Sequence, residues 1–240
     1  MRMFSLLLLV FVCSCGTRDE AKDALCSARR LAAEGKFKQA LEKHVWFHNH
    51  GLEADPSYYG VRLSFALADW IELGKKYPEA LVTLKSIRDE KTSRLLAGEA
   101  DRALFHDVES INDWLGESKA TVDLFRKIEG VRPEFATSVY SLVDEALIEA
   151  GEYDLAKKHL GDPMTRFERA KHRFDKGIQY AKTSRHGDAS REALEHIFTN
   201  DIIRIITVLD KTGDSDKARE IQLKALTVFE SPAIRNAINP

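Results

Sequence analysis

Three histidines stand close together near position 45. The run Lys43-His44-Val45-Trp46-Phe47-His48-Asn49-His50 sets two imidazoles four residues apart. On a continuous helix His44 and His48 share a face and could reach one metal ion, with His50 joining from a frayed end. The spacing is permissive, because the helical zinc motif of metalloproteases sets a glutamate beside the first histidine and Val45 stands there instead. The competing reading has Trp46 and Phe47 contributing to packing while the histidines hydrogen-bond or face water near a helix end. That reading is favoured, so no metal or other cofactor is expected.

A second constellation runs from Tyr58 to Trp70. Leu63, Ala66, Leu67 and Trp70 form a helical stripe that belongs in a core. Arg62 and Asp69 lie seven residues apart, about two turns, and could project from one face as polar anchors in a groove. A solvated or inter-helix contact is the commoner fate of such a pair. The segment Arg166-Phe167-Glu168-Arg169-Ala170-Lys171-His172-Arg173 is locally basic and could face anionic lipid headgroups, but Glu168 and Asp175 dilute it, and it reads as a solvated helix face. A phosphate-cradling glycine loop, zinc-type cysteine spacing and a serine nucleophile elbow are all absent from the sequence. No catalytic residue is assigned, and no enzyme is expected.

Helices must position these side chains. Apolar residues recur at three- and four-residue steps in Ala97, Ala100, Leu104, Val108, Ile111 and Leu115, in Leu194, Phe198, Ile202, Ile205 and Leu209, and in Val139, Leu142, Val143, Ala146, Leu147 and Ala150. Each set falls on one helix face, and no stretch alternates convincingly as a strand would. The pattern predicts an all-α chain of roughly ten to twelve helices joined by short turns.

The turns carry a resemblance. Gly35-Lys36-Phe37-Lys38-Gln39-Ala40 and Gly151-Glu152-Tyr153-Asp154-Leu155-Ala156 each place a glycine at a helix end, an aromatic two residues on and an alanine five on. Glycine tolerates the left-handed conformation that stops a helix, the aromatic fills the wedge between antiparallel helices, and alanine lets their backbones approach. Weaker copies stand at Lys75-Lys76-Tyr77-Pro78-Glu79-Ala80 and Gly213-Asp214-Ser215-Asp216-Lys217-Ala218, and Trp114-Leu115-Gly116 marks a fifth turn. The motif resembles that of tetratricopeptide repeats. The intervals depart from that family's period of about 34 residues, running 40 from Gly35 to Lys75, 41 to Gly116, 35 to Gly151 and 62 to Gly213. The resemblance implies antiparallel helical hairpins stacked as a degenerate TPR-like α/α solenoid, with a concave surface that receives a protein or peptide.

The N-terminus carries a second resemblance. Arg2 precedes the apolar run Phe4 to Val12, too short to span a bilayer, and Val12-Cys13-Ser14-Cys15 resembles the lipobox of bacterial lipoproteins. That resemblance implies a signal peptide over 1–14, lipid on Cys15, a lipidated N-terminus and short tether over 15–22, a TPR-like helical domain over 23–230 and a C-terminal tail over 231–240. Gly16 stands where an aspartate would hold such a protein at the inner membrane, which implies the outer membrane, facing the periplasm. Without the leader, 35 basic residues stand against 38 acidic ones, a balance that argues against nucleic acid. Cys26 is then the one cysteine left in the body, so no internal disulfide is expected. The expected partner is an envelope protein or peptide of unknown identity, met by a membrane-tethered, non-catalytic scaffold or adaptor.

Overall fold

The computed structural model describes residues 17–183 and 187–238. The leader and Cys15 lie outside the described residues. Among those described, all regular structure is helical, and no helix is long and apolar enough to cross a membrane. The chain divides into two compact units, residues 1–90 with 113–115 and residues 91–112 with 116–240.

In unit 1, α1 (Thr17–Ala33) packs on α2 (Phe37–Ala54), and both meet α4 (Phe65–Lys76). Helix α1 begins inside the stretch read as a tether, and Ala21 is already fully buried. Between α2 and α4 the chain makes a 3-10 turn, Pro56–Tyr58, and the short α3 (Tyr59–Leu63). Asp55 caps the turn by accepting a hydrogen bond from the Ser57 amide at 2.9 Å, and Pro56 fits its first position because no amide is needed there. Ala21, Ala24, Leu25, Phe47 and Ala66 form one buried cluster, with Tyr58 edge-on to Phe47 at 5.6 Å. The next helix, α5 (Glu79–Leu96), belongs to unit 1 up to Glu90.

Unit 2 continues with α6 (Arg102–Trp114), α7 (Ser118–Val131), α8 (Pro133–Val139), a 3-10 turn at Tyr140–Leu142, α9 (Asp144–Glu149) and α10 (Tyr153–Leu160). After these come α11 (Pro163–Ala181), α12 (Gly187–Lys211), α13 (Ser215–Val228) and α14 (Pro232–Arg235). Helix α12 is the centre of this unit, meeting α9, α10, α11, α13 and α14. Its Phe198, Ile202, Ile205, Ile206 and Leu209 are buried, which follows from their helical spacing. At roughly 1.5–3 kcal/mol for each large apolar side chain removed from water, this helix contributes much of the driving force for folding the unit.

The repeat-type turns form as their residues predict. After α1 the Lys36 amide reaches back to Leu31 O at 2.9 Å and the Gly35 amide to Ala32 O at 3.2 Å. After α9 the Glu152 amide reaches Leu147 O at 2.8 Å and the Gly151 amide Ile148 O at 3.0 Å. These are paired 6→1 and 5→2 bonds, and they require a left-handed residue, which Gly35 and Gly151 supply at φ +73°. The alanines five residues on, Ala40, Ala80, Ala156 and Ala218, are all 0% exposed. At Gly116 the equivalent place holds Thr121, whose hydroxyl accepts from Asn112 Nδ2 at 3.0 Å. Each of these small residues sits at the close approach of a hairpin.

Two apolar stripes are cut by turns that sequence reading passes over. Ala97 and Ala100 precede α6, because Gly98 takes φ +117° and the Asp101 carboxylate caps the new helix at the Ala103 amide, 2.7 Å away. The stripe from Val139 to Ala150 breaks at the 3-10 turn and at Val143, although Val139, Val143 and Leu147 all remain buried.

Candidate functional site

The histidines of α2 are drawn together by a tryptophan. His44 stacks on Trp70 with ring centroids 5.5 Å apart, and His48 meets the same indole edge-on at 6.1 Å. The shared face anticipated from the four-residue spacing is real, and its use is packing. His48 Nε2 lies 3.4 Å from Arg62 Nη1, a cation where a metal would have to approach. His50 is exposed and contacts Glu53 at 3.2 Å. Among the described residues no group of three or more histidines, cysteines and carboxylates is placed to hold a metal. The tryptophan Nε1–H donates to Ala80 O at 2.9 Å, tying α4 to the start of α5. Burial lowers the pKa of His44 to about 4.

Arg62 and Asp69 are not groove anchors on a common face. The seven-residue argument needs an unbroken helix, and Ser64, at φ −125° and ψ −91°, separates α3 from α4. Arg62 turns inward, 4% exposed, and donates to His48 O at 3.4 Å. Asp69 pairs with Arg29 of α1 at 2.7 Å. Cys26 is an exposed residue of α1.

Unit 2 assembles a different set of side chains. Gly161, at φ +68°, ends α10, and Asp162 starts α11 by accepting from the Thr165 amide at 2.7 Å, with Pro163 at the first helical position. The helix so aligned carries Arg166, Arg169 and Arg173 at steps of three and four, hence on one face. That face lines a cavity of about 640 Å³. Arg102 of α6, Tyr140 and Ser141 of the 3-10 turn, Asp144 of α9, His159 of α10, and Asp201 and Arg204 of α12 complete its wall. The basic segment read as a solvated helix face is thus one side of a built pocket. The arginine spacing was the signal available in sequence, whereas Tyr140, Asp144, His159 and Arg204 come from four other elements, and nothing local joins them.

The pocket contains buried polar groups with unusual surroundings. Tyr140 is 1% exposed and its hydroxyl has no hydrogen-bond partner. The Arg166 guanidinium lies over its ring at 4.6 Å, yet burial pushes the phenol up to about 12. His159 stacks on Tyr140 at 6.2 Å, meets Phe125 edge-on at 5.2 Å and places Nδ1 2.9 Å from Thr137 Oγ1. Its Nε2 is buried without a partner. Burial lowers the His159 pKa, with Lys158 acting the same way and Glu129 opposing, so the ring is neutral at neutral pH.

Charge surrounds this neutral pair. Asp144 is 7% exposed and stands between Arg204, at 3.4 Å, and Arg166, at 3.6 Å. Burial raises its pKa although both guanidiniums pull it down. Arg204 also reaches Glu145 at 2.7 Å, Arg173 pairs with Asp201 at 2.6 Å, and Arg102 donates to Ser138 O and to Ser141 Oγ. Arg169 is exposed and makes no ion pair among the described residues. Guanidiniums stay charged at every accessible pH, so the arginines of this wall can bind and orient an anion but do not exchange protons with it.

No protein-family model matches the chain, and no curated protein matches it. Among solved structures the chain is similar to a protein described as "Crystal structure of MamA protein", at 16% identity over 92% of this chain and 99% of that one, with a TM-score of 0.38.

Proposed function

We propose that this chain is a lipid-tethered, non-catalytic interaction protein of the bacterial cell envelope, and that the cavity of unit 2 is where it receives a segment of a partner protein. The observation behind this reading is the cavity itself. It is of the size that encloses a ligand, walled by arginines, and it holds two buried polar atoms, Tyr140 Oη and His159 Nε2, that the protein leaves unpartnered. Leaving such atoms unsatisfied costs about 1–3 kcal/mol each, a cost that an occupant offering hydrogen bonds removes. Hairpin folds of this kind present such surfaces to peptides. The tether rests on the lipobox at Val12 to Cys15.

Two measurements test the reading. A photo-crosslinking residue at Ser141, on the cavity wall, is expected to give discrete adducts in intact cells that disappear when Arg169 and Arg173 are both changed to glutamate. Adducts indifferent to that double change, or none, would remove the cavity from the proposal. Cys15→Ala is expected to leave the precursor unprocessed or to release the body from membranes. A variant processed and membrane-bound like the wild type would remove the tether.

A further inference from the structure

The cavity is asymmetric in charge. Five arginines line it, Arg102, Arg166, Arg169, Arg173 and Arg204, against three acids, Asp144, Asp162 and Asp201. Asp162 is engaged at the start of α11 and Asp201 holds Arg173. Asp144 is different. Its carboxylate is buried, yet its two arginines stand at 3.4 and 3.6 Å, beyond the 2.7–2.9 Å of a charge-assisted hydrogen bond. Burial penalises its charge. Beside it lies the unpartnered Tyr140 hydroxyl under the Arg166 guanidinium. A carboxylate held loosely between two guanidiniums, next to an idle hydroxyl donor, occupies a place that a better-fitting carboxylate could take.

We infer that the cavity takes an acidic segment of a partner protein, and that Asp144 holds the place of one of its carboxylates between Arg166 and Arg204 until the segment arrives. This rests on the cavity being the docking site. Guanidiniums match carboxylates through paired N–H donors, and the Tyr140 O–H adds a third. Arg169 and Arg102, which have no carboxylate partner among the described residues, meet the flanking acids at the rim. Asp162 and Asp201, spaced among the arginines, disfavour a continuous run of phosphates, so a protein segment fits better than a nucleic acid.

The test uses the full chain in detergent micelles and fluorescence anisotropy with three probes: a labelled peptide Gly-Asp-Glu-Gly-Glu-Asp-Gly, its Asn/Gln counterpart, and a short oligothymidylate. The acidic peptide is expected to bind and the neutral one not. Asp144→Asn, which keeps the shape and removes the negative charge from between Arg166 and Arg204, is expected to tighten acidic-peptide binding about tenfold, as for one recovered charged hydrogen bond. Glu149→Gln removes the same charge from an exposed position of α9 outside the cavity wall, and is expected to change affinity less than about twofold. Arg166→Gln is expected to weaken binding about tenfold, which keeps the test decisive if Asp144→Asn folds poorly.

If Asp144→Asn binds no tighter than Glu149→Gln, or Arg166→Gln binds like the wild type, the stand-in role of Asp144 is wrong. Equal binding of acidic and neutral peptides, or tighter binding of oligothymidylate, overturns the acidic partner. In either case Ser141 adducts sensitive to the arginine changes would leave the docking site standing. Loss of those adducts together with silence of every probe overturns both readings.

Discussion

Each unit sets histidine, a large aromatic and arginine together, and the two put the same residue types to different use. In unit 1 the cluster is packed without a cavity wall: Trp70 lies against His44 and His48, its indole N–H is bonded to Ala80 O, Arg62 donates to a carbonyl, and His44 Nδ1 is buried with no partner among the described residues. In unit 2 the stack of His159 on Tyr140 forms part of a cavity wall, with polar atoms left unpartnered and guanidiniums in excess around them. Composition therefore does not separate a core from a site. What separates them is whether the surrounding helices leave space against the cluster. In unit 1 α4 and the start of α5 pack over it. In unit 2 the wall is divided among short elements from α8 to α10 and two long helices, and space remains.

The contrast can be broken hardest at Trp70. Replacing this residue, 1% exposed, with alanine is expected to cost about 3–5 kcal/mol. Urea unfolding followed by the fluorescence of Trp46 and Trp114 reads the loss, since all three tryptophans belong to unit 1. A cost under about 1 kcal/mol would mean that the cluster is not the centre of that unit. The next largest effect is acid lability at His44. The folded-state pKa is about 4 against 6.5 unperturbed, so folding favours the neutral ring. Its contribution is complete above pH 6.5 and falls away as the pH drops towards 4, by a total on the order of 3 kcal/mol. His44→Leu should flatten that part of the stability profile. An unchanged slope would place the acid sensitivity elsewhere.

How far these features were legible beforehand depends on how local their causes are. The helical class, the turns at Gly35, Gly151 and Gly213, and the buried alanines five residues beyond them follow from residues adjacent in sequence, which is why they could be read directly. The breaks at Ser64, Gly98 and Val143 were missed because apolar periodicity continues across them: Val139, Val143 and Leu147 stay buried although the helix between them does not persist. Arg62 and Asp69 stand on separate helices for that reason, and each makes an inter-helix contact. The arginines of α11 were visible as a spaced set, but their meaning depends on Tyr140, Asp144 and Arg204, which lie 22 or more residues away in sequence and are brought together by tertiary packing alone. Cys15 lies outside the described residues, and its role still rests on sequence.

The smallest expected effect is the most discriminating. Tyr140 and Trp70 are buried to the same 1%, but the Trp70 N–H is bonded and the Tyr140 O–H is not. Tyr140→Phe removes one oxygen atom and no hydrogen bond, so its stability cost is expected to stay within about 0.5 kcal/mol, with a gain as plausible as a loss. A calorimetric or urea measurement on the full chain decides it. A cost above about 1.5 kcal/mol would show that the hydroxyl is satisfied inside the protein, for example by an ordered water. Unit 2 would then hold a packed cluster like that of unit 1. A negligible cost joined to weaker binding of the acidic peptide would locate the missing partner of that hydroxyl in the ligand.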